Sequence, residues 1–436
     1  AAQGEAPGAS SNAEEAEEQA IDGAAGTKSA AAPPAAEKLT FVEHLPGSAF
    51  PDPPRGLYGG SLWLNTFHGL QWPYMPRTGL GISGYAWVDT GYEQIKSPEA
   101  DHDDAVKWIQ QGRAVLRFTP TYSDGHFFVQ GQGELVANKD QSVVQPNVVD
   151  TDDLWVRLGV WKKWDVQAGR FEAWEVYHLG MGLDQNTLER IGPVDSRVGA
   201  PFDFYGVTNA FYRAAGLGNV AAHVYPWSWL RVEALGQAGN QNGQNAIGGR
   251  GAAILDFGIV KVKGAAEYRH TTQVLTLNQT INGVQSKTSS PERTNAWGYG
   301  GGVQVLLNPF VEFGVNLAQE LTDQWDMSGA PNGFGTFTIN SMGGFANARV
   351  IPDLLVGAGV NYSKKDDTHT DNLGKNDSYT NLQSFGAVQY LISKQLFVKA
   401  VFAYAKATWD PSFDNGPDIK FSDVMLSGRL RLLYLF

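Results

Sequence analysis

The sequence predicts an all-β fold, a transmembrane antiparallel β-barrel of about sixteen strands. Three observations predict it. Apolar and polar residues alternate with period 2 through most of residues 77–436, as in strands with two different faces. Tight turns then alternate with long polar connections along the chain. Finally, aromatic residues crowd the tight turns.

Residues 1–38 are Ala, Glu, Gly, Ser and Pro with almost no large apolar side chain. Such a segment buries too little surface to offset its ordering entropy, so it reads as disordered and periplasmic. Residues 39–76 are rich in Pro and aromatics (PDPPRGLYGG, LWLNTFHGLQWPYM), too many for a free linker. They are expected at the barrel mouth or in the lumen; an extra strand or a periplasmic collar is the other reading. The barrel itself is assigned to 77–436. Strands are expected near 79–92, 110–121, 126–137, 152–161, 164–172, 208–225, 228–238, 246–257, 259–271, 295–307, 310–321, 334–350, 354–363, 379–391, 396–408 and 421–436. Ser123-Asp124-Gly125, Lys162-Lys163, Pro226-Trp227, Asn308-Pro309, Ile351-Pro352-Asp353 and Ser393-Lys394 make short turns. Between them 95–109, 138–151, 272–294, 364–378 and 408–420 read as long loops. That asymmetry places all turns at one rim and all loops at the other.

The aromatics follow the same division. Tyr122, Phe127, Trp161, Trp164, Trp227, Trp229, Phe257, Phe310, Tyr390, Phe397 and Tyr434 cluster at the turns, and Tyr92, Tyr268, Trp297, Trp325, Tyr362, Tyr379 and Trp409 near the loop-side strand ends. Two interfacial girdles are expected, since amphipathic rings favour the headgroup level.

The last stretch, FSDVMLSGRLRLLYLF, puts Val424, Leu426, Leu430, Leu432, Tyr434 and Phe436 on one parity and Asp423, Ser427, Arg429 and Arg431 on the other. An exposed aromatic end would be an aggregation hazard on a soluble edge strand. It is at ease against lipid. The closing strand of a soluble all-β domain is the bland alternative. This terminal Phe, with Tyr434 two residues before it, resembles the closing strand of Gram-negative outer-membrane barrels. The resemblance implies an assembly signal at Tyr434 and Phe436, read by the barrel-insertion machinery, and partners in outer-membrane lipid and lipopolysaccharide. Sixteen strands resemble the porins of that group, whose passive pores imply a homotrimer and small hydrophilic solutes.

Composition excludes several alternatives. The 436 residues contain no cysteine, so there is no disulfide framework, thiolate metal site, Cys nucleophile or lipidated amino-terminal Cys. No run approaches the roughly 18 apolar residues of a spanning helix. The mean hydropathy of −0.26 is compatible with a barrel, where only every second residue is apolar. A net charge of −12 argues against nucleic acid. No signal peptide is evident, and Ala1-Ala2-Gln3 without Met fits a mature product.

The non-lipid parity collects charge: Arg113, Arg117, Gln130, Gln132, Glu134, Arg157, Arg231, Glu233, Lys261, Lys263, Glu267, Arg269, Glu312, Asn316 and Lys399. Unpaired ions in a dry core would cost several kcal/mol each, so a wet interior is expected. Sixteen strands also enclose more space than side chains fill. Residues 173–207 form the third long connection. By resemblance to sixteen-stranded porins it folds into the barrel and makes the constriction. Its Asp184, Glu189, Asp195 and Asp203 would then face the basic residues Arg190 and Arg197 of the loop and Arg113, Arg117, Arg157, Arg170 and Arg231 of the wall, with Glu172 and Glu233 also lining the lumen. A transverse field of this kind filters by size and charge. The run VQAGRFEAWEV resembles the Gly-Arg-Phe wall strand of phosphate-selective-type porins, which implies a role for Arg170 toward anions. Trp155, Trp161, Trp174, Tyr177, Phe202, Phe204 and Tyr205 would supply a greasy surface for sugar rings.

No catalytic residue, metal site or cofactor is expected. Gly298-Tyr299-Gly300-Gly301-Gly302 lacks a phosphate-loop Lys and reads as close strand packing. The eight histidines show no HExxH spacing and read as solvated or turn residues. Asp101-His102-Asp103-Asp104 and Asp366-Asp367 read as solvated loop charge. The expected function is passive diffusion of small hydrophilic solutes through a pore constricted by loop 173–207. The alternatives are an anion- or carbohydrate-preferring channel and, from another class, a plugged structural or adhesive barrel.

Overall fold

A computed structural model describes residues 78–96, 105–140, 149–150, 154–171, 218–241, 244–257, 259–281, 284–308, 311–326, 336–368, 377–393, 396–410 and 420–435. They form strands β1 (Gly79–Lys96), β2 (Ala105–Ser123), β3 (Phe127–Asp140), β4 (Val149–Asp150), β5 (Leu154–Val160), β6 (Trp164–Arg170), β7 (Gly218–Trp227), β8 (Leu230–Gln241), β9 (Gln244–Asp256), β10 (Val260–Ile281), β11 (Val284–Asn308), β12 (Val311–Asp326), β13 (Thr336–Ile351), β14 (Leu354–Thr368), β15 (Asp377–Leu391), β16 (Leu396–Asp410) and β17 (Phe421–Leu435). The short β4 and β5 both pair with β3 and are two pieces of one stave. Every pairing is antiparallel and follows chain order, and β1 pairs with both β2 and β17. The sheet therefore closes into a sixteen-stave barrel without free edges.

All sixteen expected strands are present. Residues 272–281 and 284–294, expected within a loop, are strand: β10 and β11 continue pairing until Ile281 meets Val284. The sequence shows little hydropathy alternation here, since residues 285–294 are polar apart from Pro291 and Leu275 and Leu277 stand among Thr, Gln and Asn. β7 begins at Gly218; the expected start at 208 lies outside the described residues.

The tight turns owe their geometry to local chemistry. In the β2–β3 turn the backbone amides of His126 and Phe127 donate to Asp124 Oδ1 at 2.8 and 2.7 Å, and Gly125 takes a φ of +95° that favours glycine. The His126 amide, then that of Phe127, holds the Asp124 carboxyl below the usual carboxylate range. Gly301 shows why the β11 glycines are needed: a Cβ there would lie 2.6 Å from the carbonyl oxygen of Lys263.

Strand tilt is visible in the register. A row of directly paired residues leaves Phe421, the first residue of β17, and crosses Trp409, Tyr379, Lys365, Ile339 and Glu320. It continues through Gly298, Glu267, Arg250, Leu235, Ala221, Gln167 and Arg157. It reaches Gln130, Thr121 and Gly79, the first residue of β1. The row thus runs from the loop rim to the turn rim in one circuit, because the strands are inclined to the barrel axis.

The two faces differ as the parity predicts. Outward side chains include Leu80, Val88, Leu158, Val220, Val315, Leu317, Phe402, Leu426, Leu430 and Leu432, all exposed. A continuous apolar surface of this extent is stable against hydrocarbon, not water. The turn-side girdle faces outward: Trp227 and Trp229 stack at 5.2 Å and Trp229 and Phe257 at 5.7 Å, with Tyr122, Trp164, Tyr390 and Tyr434 exposed around it. Phe397 departs from it and is buried on the inner face. Of the loop-side set, Tyr92 packs edge-on against the exposed Trp108, and Tyr268 against the exposed Trp297. Tyr379 and Trp409 share the inward parity of their strands, so they do not belong to a lipid girdle. Leu430, on the lipid face of β17, supplies a test. Leu430→Arg should cost about 2–4 kcal/mol at mid-depth and sharply lower the yield of heat-resistant barrel on a gel. Wild-type yield would refute the face assignment.

Candidate functional site: the inner face of the barrel

The inward parity is lined by paired charges. Three groups stand out.

The first joins β5, β6, β7 and β8. Asp165, with its side chain 1% exposed, accepts two hydrogen bonds from Arg157, Nε to Oδ1 at 2.8 Å and Nη2 to Oδ2 at 2.7 Å. Tyr225 Oη donates to Asp165 Oδ2 at 2.6 Å and accepts from Arg157 Nη2 at 3.0 Å. His223 bridges onward: Nδ1 lies 2.6 Å from Asp165 Oδ1, and Nε2 lies 3.0 Å from Glu233 Oε2. With both carboxylates ionised, the two contacts are hydrogen bonds only when both ring nitrogens carry protons. His223 is therefore a buried bridging residue, not the solvated or turn histidine that its sequence context suggested.

The second group lies on β8, β9 and β10. Lys261 Nζ meets Asp256 Oδ2 at 2.6 Å, and Arg231 Nη1 approaches the same oxygen at 3.6 Å. Lys263 follows two residues on, buried on the same face, giving this wall three cations around one carboxylate.

The third closes the barrel between β1 and β17. Arg431 Nε and Nη2 donate to Asp89 Oδ1 and Oδ2, both at 2.6 Å, and Arg429 Nη1 lies 3.4 Å from Asp89 Oδ2. The Arg431 guanidinium sits 4.0 Å above the Trp87 ring. Arg117 pairs with Glu134 across β2 and β3, and Gln132 Nε2 donates to the same carboxylate at 2.7 Å.

The structure thus brings Arg157 and Glu233 into one network through Asp165, Tyr225 and His223, which were not singled out from the sequence. Their inward parity was legible; their convergence needed the register of four strands. Arg113, Arg117 and Arg231 lie on the inner wall and are buried. Arg117 and Arg231 answer to wall carboxylates on neighbouring strands. Arg170 does not join them. It is exposed, opposite Leu154, whose side chain points outward at 66% exposure, so it shares the lipid-facing parity at the loop-side end of β6. Its assignment to the pore wall is corrected: inward Asp165 and Gln167 fix the alternation against it. Trp155 is inward and packs against the buried Phe171, Ala221 and Leu235, and Trp161 contacts Phe128 edge-on at 6.4 Å. Glu172, Trp174, Tyr177, Asp184, Glu189, Arg190, Asp195, Arg197, Phe202, Asp203, Phe204, Tyr205 and Phe436 lie outside the described residues, and with them the constricting loop.

The inner face is not uniformly polar. Tyr85, Trp87, Val115, Val136, Leu391, Phe397 and Leu433 form a buried apolar cluster on it. Just before β1, the strand that carries Tyr85 and Trp87, the Thr78 hydroxyl donates to the Ser123 carbonyl at 3.0 Å and accepts from the Ser123 amide at 2.9 Å.

No protein-family model and no curated protein sequence matches the chain. Solved structures do. A loop-deleted form of OmpT, an outer membrane protein of Vibrio cholerae, superposes with a TM-score of 0.50 at 12% identity, covering 82% of this chain and 99% of that one. The anion-selective porin from Comamonas acidovorans has a TM-score of 0.49 at 12% identity, over 82% of this chain and 99% of the porin. The outer membrane channel DcaP of Acinetobacter baumannii gives 0.48 at 11% identity, over 83% and 98%. The fold is shared with the OmpT barrel. At these identities the likeness is one of architecture. Together with the apolar outer band, that architecture is of a multi-pass outer-membrane barrel.

Proposed function

We propose that this barrel gives passive passage to small hydrophilic solutes and ions across the outer membrane. The supporting observation is the division of its faces: a closed sixteen-stave wall, apolar outside, lined inside by charge. A barrel of this size is wider than its own side chains can fill, which leaves an aqueous path. Loop 173–207 is proposed to narrow that path, and the homotrimer is proposed with it. The likeness to outer-membrane channels is in line with this reading. Planar-bilayer recording of the purified protein tests it: stable ohmic steps are expected, and a reversal potential in a salt gradient reads the sign preference of the lining. Silence under all voltages would overturn it.

A second reading, a plugged barrel, is favoured by the buried apolar cluster around Tyr85, Trp87 and Phe397. Burying apolar surface is worth about 25 cal/mol per Å², so an apolar patch on the inner face suits an apolar segment packed along it. Residues 39–76 are aromatic-rich and lead into β1, the strand that carries Tyr85 and Trp87. We assign them this place, at the mouth or in the lumen. Deleting residues 39–75 should raise single-channel conductance several-fold if they fill the lumen. Conductance equal to that of the full chain would leave the plug without support.

A further inference from the structure

We propose that the loop-side mouth carries a sugar-binding subsite on its inner wall, built by Trp409 with Tyr379, Phe421, Lys365 and Phe337. It deepens the channel reading by naming a solute class, and depends on that reading for its physiological role only.

Five inward positions on five consecutive strands carry it. Tyr379 is paired directly with Trp409, and Trp409 with Phe421. Their rings run nearly parallel, with centroids 6.0 Å apart at 4° and 5.1 Å apart at 23°. Lys365 is the direct partner of Tyr379 on the next strand, and its Nζ lies 4.4 Å from the Phe337 ring and 5.7 Å from the Tyr379 ring. All sit within a few residues of the loop-side strand ends. Lipid cannot be the reason for these aromatics, since they face away from it. Their mutual contact does not exhaust them either: the Trp409 indole Nε1 is buried without a hydrogen-bond partner. A buried N–H without an acceptor is unfavourable, so this donor is suited to a visiting oxygen.

The chemistry that meets all of these features has a flat apolar face, acceptor oxygens and a size compatible with a pore mouth. A pyranose ring has them: its axial C–H groups pack on aromatic surface, while its hydroxyl oxygens accept from the indole N–H and the Lys365 ammonium. Aromatic residues with a polar handle suit such amphipathic partners.

Isothermal titration of maltohexaose into the detergent-solubilised full-length barrel tests the subsite independently of conduction. Wild type should bind, and Trp409→Ala should weaken binding about tenfold. Trp409→Phe retains the ring and loses the donor, so it should weaken binding by a smaller, severalfold factor. Trp108→Ala, on the lipid face, should bind as wild type does. Should Trp409→Ala fail to assemble, Trp409→Phe and Lys365→Gln carry the test. No heat from wild type, or equal affinity across the Trp409 variants, would overturn the subsite. A barrel that conducts without binding loses the subsite and keeps the channel; one that binds without conducting does the reverse.

Discussion

Arg431→Leu should remove most of the heat-resistant barrel from a cold-versus-boiled gel and lower the urea midpoint of what remains. Arg431 is 1% exposed, and its fork binds both oxygens of Asp89 across the seam where β17 meets β1. Removing one partner of a buried pair typically costs about 3–5 kcal/mol, because the other charge is left behind. Trp87 also loses the cation lying on its face. The effect should be large because this seam joins the first strand to the last and forms only when the whole chain is in place. Adding Asp89→Leu to Arg431→Leu should restore a good part of the loss, since two apolar side chains of fitting size cost far less than one stranded carboxylate. If the single variant were as stable as wild type, Arg429, 3.4 Å from the same carboxylate, or lumen water would have to hold Asp89 in its place, and the Arg431 pair would be incidental to closure.

Asp165→Leu is expected to have an effect of similar size for a different reason. One carboxylate holds Arg157, Tyr225 and His223, so its loss strands a guanidinium and a phenol and leaves His223 tied to Glu233 alone within this network. These groups come from β5, β6 and β7, with β8 reached through Glu233. About 3–5 kcal/mol is expected again. His223→Gln should cost less, because the Arg157–Asp165–Tyr225 triangle is left intact. Urea titrations followed by tryptophan emission would rank the variants. An order in which His223→Gln is the worse would place the hub at the imidazole.

These networks also correct the expected picture of the wall. Charges on the inward parity were expected to stand solvated and to oppose acidic residues of a loop. Cations of β2, β5, β8, β10 and β17 instead meet carboxylates within the wall, on a neighbouring strand. In-wall pairing lets a barrel carry many ions without stranding any. What remains for permeating solutes is the sum of the wall's charges. The cation excess at Arg231, Lys261 and Lys263 around Asp256 is the clearest local departure from balance.

Much of the fold was legible in the chain because a strand's two faces are written in local order. Val424, Leu426 and Leu430 against Asp423, Ser427 and Arg431 suffice to orient β17, and a turn such as Ser123-Asp124-Gly125 announces itself. The same local rule failed where alternation was weak. The hairpin ending at Ile281 and Val284 is polar along most of its second strand, and Arg170 was assigned from a short motif rather than from the parity of its neighbours. Aromatics at strand ends were read as lipid anchors, which Trp297 obeys and Trp409 does not.

By itself, then, the sequence determined the strand count, the places of the tight turns, and which parity of most strands meets lipid, since these depend on residues close together in the chain. Only the tertiary structure decided who meets whom. Asp165 with His223 and Glu233, Asp89 with Arg431, and Tyr379 with Trp409 and Phe421 are brought together by register across inclined strands. A shift of a single residue in that register would turn each of these side chains to the opposite face.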